Sequence, residues 1–205
     1  MKLRLHRYTP LTRTEGPGER ACIQVQGCPI RCFGCGVPQT WTEKGGAWVD
    51  VDALIDTILL GPRIEGVTFL GGEPFAQPAP LARIGKALLE RDLSVVTFTG
   101  YRLDDLRAMP DPDVAALLSV TDLLIDGPFD QAKVDYSRPW VGSTNQRYHH
   151  LTGRYSEILH SLPQSNEFEV RVSLEGSVIV SGLAPLDKMT AIAEACRSAA
   201  PQRGC

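Results

Sequence analysis

Apolar and polar residues follow one another along the chain in a way that predicts strands and helices in turn. Residues 21–26 alternate between apolar and polar side chains, as a strand does. From residue 51 apolar side chains recur at the spacing of one helix face, and Gly61-Pro62 ends that helix. Similar runs further on predict strands at 67–70, 93–98 and 121–125, and helices at 51–59, 81–89, 103–107 and 114–118.

The last part of the chain has a pattern of its own. Two apolar strands, over residues 168–174 and 177–180, are joined by Glu175-Gly176, which is a hairpin signal. A helix over residues 186–197 follows them. We therefore expect the segment from about residue 155 to residue 205 to be folded as a hairpin and a helix.

Alternating strands and helices define the fold class. At this spacing they imply βαβ units, right-handed crossovers and a mostly parallel sheet. With 205 residues, of which 43% are hydrophobic, the chain is the size of one domain that buries its own core. We predict an α/β protein with a single domain over residues 1–205, and ligands bound at the carboxyl edge of its sheet.

Charge and hydropathy exclude some partners. A net charge of −3 and a pI near 5.8 give no field that draws the chain to nucleic acid or to anionic lipid. The charged N-terminus differs from a signal peptide, and no segment approaches the roughly 18 apolar residues that a spanning helix needs. We predict a cytoplasmic protein with neither nucleic acid nor membrane as its partner.

Three of the six cysteines, Cys28, Cys32 and Cys35, lie within one predicted loop after the first strand. In a reducing compartment such crowding favours metal or redox chemistry over disulfides. Three thiolates can hold a 4Fe–4S cluster and leave its fourth iron open for chemistry. The alternative is a structural zinc site, closed by a fourth ligand from Cys22 or from the pair His149-His150.

A second motif, Gly71-Gly72-Glu73-Pro74, follows the strand predicted at 67–70. A CxxxCxxC loop after the first strand, followed by GGEP after the next, resembles the radical S-adenosylmethionine superfamily. The resemblance implies a partial (β/α)6-type barrel with a mostly parallel, curved sheet. It also implies that Cys28, Cys32 and Cys35 hold a 4Fe–4S cluster whose open iron binds S-adenosylmethionine, the second cofactor.

The same resemblance assigns roles to further residues around the cofactor. The Gly71 to Pro74 backbone and Glu73 would receive the amino group of S-adenosylmethionine, since carbonyl and carboxylate oxygens suit a cation and glycine allows close approach. Residues at strand ends would face its ribose and methionine parts, and others its adenine. The first set is Thr97, Thr99 and Asp126, and the second is Phe33, Gly34 and Val178.

A closer resemblance covers roughly the first 155 residues, to the activating proteins of anaerobic ribonucleotide reductase. It rests on Glu15-Gly16-Pro17-Gly18, on Thr99-Gly100-Tyr101, on Leu124-Ile125-Asp126-Gly127-Pro128-Phe129 and on the segment Trp140 to Gln146. The resemblance implies an oxidoreductase that installs a glycyl radical on a partner enzyme and takes electrons from a reductant such as flavodoxin or ferredoxin. The chain departs from these proteins in having Glu73 where aspartate is common, and in its longer C-terminal part.

Two other functions remain open at this point. The extra C-terminal segment favours a radical enzyme that modifies a small molecule or a peptide without a partner protein. The cysteine loop alone also fits a noncatalytic iron–sulfur electron carrier, although that function would leave Gly71 to Pro74 and Asp126 without a purpose.

Overall fold

The computed structural model describes residues 1–157, 166–172, 178–183 and 185–199. Within them, a seven-stranded mixed sheet is followed by a separate two-stranded hairpin. The sheet contains β1 (Lys2–Thr12), β2 (Arg20–Val25), β3 (Ala47–Asp50), β4 (Gly66–Gly71), β5 (Ser94–Phe98), β6 (Leu123–Asp126) and β7 (Arg147–His150). The helices are α1 (Val51–Leu59), α2 (Pro78–Leu89), α3 (Leu103–Ala108), α4 (Pro112–Ser119) and α5 (Leu186–Ala199), and the hairpin pairs β8 (Phe168–Val172) with β9 (Val178–Gly182).

The centre of the sheet is parallel. Strands β2, β4, β5 and β6 are neighbours and run in the same direction. Antiparallel strands flank them, with β1 and β3 at one edge and β7 at the other. The α/β class and the mostly parallel central sheet are thus confirmed, while β1, β3 and β7 add to the predicted strands.

Helices α1 to α4 pack against one face of this sheet. Their apolar stripes, which include Ile55, Ile84 and Leu117, form a single core with the strand residues Ile23 and Phe69. Each of these five side chains is buried to at least nine-tenths. The alternation predicted for residues 21–26 is confirmed, because Ala21, Ile23 and Val25 all belong to the core on the helix side.

The other face of the sheet holds a buried charge near the start of β2. The guanidinium of Arg20 is fully buried and donates to Thr68 Oγ1, Ser94 Oγ and Tyr155 Oη at 2.9–3.0 Å. Tyr155 Oη in turn donates to Glu65 Oε1 at 2.6 Å. Because a buried cation without partners is costly, this network ties three strands to the segment that follows β7.

The predicted C-terminal elements are present. Strands β8 and β9 pair antiparallel, with Val170 opposite Val180, and α5 follows. The predicted turn Glu175-Gly176 lies outside the described residues. In the part of the chain that the structure describes, no helix combines the length and the apolar character needed to cross a membrane.

Candidate iron–sulfur and cofactor site

Three cysteine thiols meet at the carboxyl edge of the sheet. The loop that leaves β2 is fixed to a later part of the chain by two backbone hydrogen bonds, from Gly27 N to Thr40 O at 2.8 Å and from Cys28 N to Trp41 O at 3.2 Å. Its three cysteines are free, half-buried and border one cavity of about 460 Å³. The three predicted cluster ligands are Cys28, Cys32 and Cys35.

The surroundings of these sulfurs fit a cluster held by thiolates. Burial raises the pKa of Cys28, and hydrogen bonds from the backbone N–H groups of Arg31 and Ile30 partly offset it. Burial likewise raises the pKa of Cys32, against a hydrogen bond from the N–H of Phe129. Val37 N lies 3.5 Å from Cys35 Sγ, so each sulfur has an N–H donor. Hydrogen bonds to cluster sulfurs are a common feature of iron–sulfur sites.

In the described part of the chain, the side chains form no ready-made site for a single metal ion. Among the described residues, no group of three or more His, Cys, Asp or Glu side chains converges in the way that one metal ion requires. A single zinc ion needs such convergence, with sulfur atoms about 2.3 Å from the metal. A four-iron cluster does not, because its three thiolates bind three different irons.

The residues considered as a fourth zinc ligand lie elsewhere. Cys22 is 2% exposed in the middle of β2, and burial raises the pKa of its thiol well above the usual value. His149 and His150 lie on the edge strand β7, where His149 Nε2 is 3.0 Å from Asp126 Oδ2. None of the three borders the cavity.

The glycine-rich loop after β4 packs directly against the cysteine loop. Gly72 N donates to Val25 O and Glu73 N donates to Gly27 O, both at 2.8 Å. A Cβ on Gly72 would lie 2.2 Å from Gly27 O, so this approach requires glycine. Gly71, Gly72 and Glu73 border the cavity, whereas Pro74 is buried beneath it at the start of a short 3-10 helix.

Glu73 is a buried carboxylate that borders the cavity. It is 1% exposed, and its Oε1 accepts from Phe75 N and from Thr99 Oγ1, while its Oε2 accepts from Gly100 N, each at 2.9 Å. Burial raises its pKa to about 7, although the three hydrogen bonds lower it. The loops after β4 and β5 are therefore joined through one carboxylate that shares the cavity with the thiols.

Two of the predicted cofactor residues lie on the opposite side of the sheet. Thr97 is fully buried, and its Oγ1 is 2.9 Å from Thr121 Oγ1 at the end of α4. Asp126 is also fully buried; it accepts from Leu103 N at the start of α3 and pairs with Arg147 at 2.9 Å. The structure thus places both side chains on the helix side, away from the cavity that Thr99 borders.

Of the three residues predicted near the adenine, one borders the cavity and two do not. Gly34 borders the cavity, but the ring of Phe33 points outward and is 83% exposed. On β9, Val178 does not border the cavity, whereas Val180, Ser181 and Gly182 do. The contact of Val178 with the adenine stays a prediction.

Several cavity residues were not predicted at all. The cavity is also bordered by Arg7, Glu15 and Gln24, with Arg7 Nε donating to Gln24 Oε1 at 2.9 Å. Burial raises the pKa of Glu15, whose Oε1 accepts from Gly182 N at 2.9 Å. The alternation of residues 21–26, which sets Gln24 on the face opposite the core, was the signal available for one of them.

Three free thiols and a buried carboxylate border one cavity at the carboxyl edge of an α/β sheet, which gives the ligand types of an iron–sulfur site and room for a small molecule. A family model described as a 4Fe-4S single cluster domain matches residues 14–149. The anaerobic ribonucleoside-triphosphate reductase-activating protein of Vibrio cholerae is 34% identical over 157 residues, which cover 72% of this chain and 97% of that protein. The Escherichia coli K12 protein of the same name is 35% identical over 162 residues, 71% of this chain and 97% of that protein.

The chain belongs to this family of 4Fe-4S single cluster proteins, together with the activating proteins that it resembles. Among solved structures, QueE from Escherichia coli aligns with 49% of this chain and 53% of that chain, with 21% identity and a TM-score of 0.41. That likeness is too partial to bear on the function. The resemblance read from the sequence motifs is confirmed by the family match and the relatives.

Proposed function

We propose that this protein is a radical S-adenosylmethionine enzyme that installs a glycyl radical on a partner enzyme, as the names of its relatives indicate for anaerobic ribonucleoside-triphosphate reductase. The observation that carries the proposal is that Cys28, Cys32, Cys35 and Glu73 border the same cavity. An electron carrier needs the thiols alone. A buried carboxylate beside them suits a bound molecule that carries an amino group.

The chain's own residues divide the work of holding two cofactors. Cys28, Cys32 and Cys35 hold the cluster, while Glu73 and the Gly71-Gly72 backbone bind and orient the amino end of S-adenosylmethionine. When bound there, the reduced cluster and S-adenosylmethionine would together supply one-electron chemistry that generates a 5′-deoxyadenosyl radical, the species able to take a hydrogen atom from a glycine of the partner.

The remaining parts of the proposal concern shape and partners. The proposal includes a partial barrel of the (β/α)6 type, which the parallel order of β2, β4, β5 and β6 supports. A reductant such as flavodoxin or ferredoxin supplies the electron. The net charge of −3 fits a protein whose partners are other proteins rather than nucleic acid or a membrane.

The test is anaerobic reconstitution with iron and sulfide, followed by reduction and electron paramagnetic resonance with and without S-adenosylmethionine. A reduced-cluster signal that shifts on addition of S-adenosylmethionine is the expected result. Mixing with anaerobic ribonucleotide reductase should then give a glycyl radical doublet. A cluster that ignores S-adenosylmethionine would contradict the radical chemistry, and a shift without a doublet would contradict the partner.

A second candidate is a radical enzyme for a small molecule or a short peptide. The observation that favours it is the C-terminal hairpin, because Val180, Ser181 and Gly182 border the cavity. This function predicts a substrate-dependent rise in 5′-deoxyadenosine in the absence of any partner protein. A rise that requires the partner supports the activating function instead.

A further inference from the structure

The C-terminal hairpin is fastened to the main body at two points. At the first, Asn166 Nδ2 donates to Val141 O at 2.7 Å, and Asn166 Oδ1 accepts from Trp140 N at 2.6 Å. At the second, Gly182 N donates to the buried Glu15 Oε1 at 2.9 Å. These contacts position the hairpin from both its incoming and its outgoing strand.

Close packing at the second point depends on glycine. Gly182 has a φ of +94°, and a Cβ there would lie 2.8 Å from Thr14 Cβ and 2.3 Å from Glu167 O. Only glycine fits such an approach without strain. The end of β9 is therefore built to lie against the segment that contains Glu15.

Between these two points the hairpin forms a wall of the cavity. Val180, Ser181 and Gly182 border the same space as the three cysteines. Gln24 and Phe98, on the sheet face that carries no helices, border it too. At about 460 Å³, the cavity is in the lower part of the range for one small ligand, so any change in this wall alters the room left beside a bound cofactor.

This wall lies outside the part of the chain that the family match explains. The family model ends at residue 149, and the Vibrio cholerae relative is matched over 97% of its length by 72% of this chain. Residues 166–183 are thus beyond the region that carries the shared thiols and the Gly71-Gly72-Glu73 loop. A wall added outside the shared site is suited to setting which substrate reaches that site.

We infer that Val180, with Ser181 and Gly182 beside it, is a specificity-determining residue that limits the substrate beside the cofactor to a narrow polypeptide segment centred on glycine. The inference rests on the proposed function. Val180 borders the cavity and is half-buried, whereas the neighbouring Ile179 does not border it and is 36% exposed. The two positions therefore form a matched pair.

The test compares Val180→Trp with Ile179→Trp in the full-length protein loaded with its cluster. An indole at residue 180 adds bulk to the cavity wall that the hairpin forms, while Ile179 does not border the cavity and is exposed. We expect V180W to bind S-adenosylmethionine as the wild type does, shown by the same shift of the reduced-cluster signal, and to form at least about tenfold less glycyl radical on the partner. I179W should match the wild type in both measurements.

Two outcomes would overturn the inference. If V180W forms the glycyl radical at the wild-type rate, this wall does not restrict the substrate. If V180W loses the S-adenosylmethionine shift, the wall bounds the cofactor rather than the substrate. A wild-type protein that forms no glycyl radical would instead contradict the proposed function, so the two failures are distinguishable.

A smaller change gives the answer if V180W does not fold. Val180→Ala widens the cavity and removes only two methyl groups from a partly exposed strand position. With the substrate held less closely, we expect more 5′-deoxyadenosine for each glycyl radical formed, by a few-fold, with S-adenosylmethionine binding unchanged. An unchanged ratio of the two products would contradict the inference.

Discussion

The carboxyl edge of the sheet carries two buried carboxylates whose surroundings are opposite. Glu73 lies on the cavity side with three hydrogen bonds from neutral groups, and burial raises its pKa to about 7. Asp126 lies on the helix side beside Arg147. Burial raises the pKa of Asp126 too, but the hydrogen bonds from Arg147 and the Leu103 N–H outweigh it and bring that pKa below its usual value.

This difference assigns ligand binding to Glu73 and stability of the fold to Asp126. A carboxylate buried without a cation is held at a cost in folding free energy, which a ligand's amino group can recover. A carboxylate buried with an arginine and a helix N-terminus is already satisfied and fixes α3 to the sheet. We therefore expect Glu73 to respond to S-adenosylmethionine and Asp126 to respond to unfolding.

The largest effect is expected from a variant that removes one of the cluster ligands on the cavity side. Cys28→Ser replaces one of the three thiolates, so we expect 5′-deoxyadenosine formation to fall by on the order of 100-fold, with loss of cluster iron. The matched control is Cys22→Ser, because that thiol is buried within β2 and does not border the cavity. For both variants, the iron content and the yield of 5′-deoxyadenosine are measured. Equal iron loss in the two would show that the cavity cysteines are not special.

The next largest effect tests the comparison itself. Glu73→Gln removes the negative charge that accepts from the ligand's amino group, and we expect S-adenosylmethionine to bind about tenfold more weakly. Asp126→Asn should change that affinity by less than about threefold, because its carboxylate faces α3. Equilibrium binding to the reconstituted protein gives both values. The reverse ranking would show that the helix side, rather than the cavity side, holds the cofactor.

The sequence predicted where these two carboxylates lie along their strands but not on which face of the sheet. Strand β6 reads Leu-Leu-Ile-Asp and is buried on both faces, so apolar and polar residues do not alternate in it. The side of Asp126 is set by the neighbouring helix α3, which contacts it through Leu103 N. By contrast, β2 alternates clearly, and its core-facing residues were predicted correctly.

Short-range sequence patterns also explain which of the other features could be predicted and which could not. The helices and the parallel strands follow from hydrophobic spacing, and the cysteine and Gly71-Gly72-Glu73 loops follow from their motifs. Val180 and Glu15 could not be placed in the cavity, because the hydrogen bond between Gly182 N and Glu15 Oε1 joins residues that are 167 positions apart. No short-range pattern carries such a contact.

A pH profile sharpens the comparison with a smaller effect. Because the pKa of Glu73 is raised to about 7, the carboxylate is partly protonated below that value and accepts poorly from an amino group. We expect the affinity for S-adenosylmethionine to rise several-fold between about pH 6 and pH 8. The pH profile of Glu73→Gln reports the titration of the ligand without that of residue 73. Comparison of the two profiles therefore isolates the contribution of Glu73. Parallel profiles for the two proteins would contradict a role for Glu73 ionisation.

The smallest effect is expected on the helix side and concerns stability alone. Arg147→Gln removes the partner of the fully buried Asp126, but the guanidinium itself is half-exposed, so we expect a loss of about 1 to 2 kcal/mol at pH 7. Arg83→Gln is the matched control, since the ion pair of Arg83 with Asp52 is exposed on both sides and should contribute less than about 0.5 kcal/mol.

The pH dependence of this loss of stability follows from the lowered pKa of Asp126. The folded-state pKa of Asp126 is lowered, so its stabilising effect is present above the unfolded-state pKa, about 3.9, and is lost as the pH falls through the folded value. The difference in unfolding free energy between the wild type and Arg147→Gln should therefore shrink as the pH is lowered below about 4, measured by urea denaturation. A gap that widens on acidification would mean that Arg147 acts through another group, and the contrast between the two carboxylates would then lose its electrostatic basis.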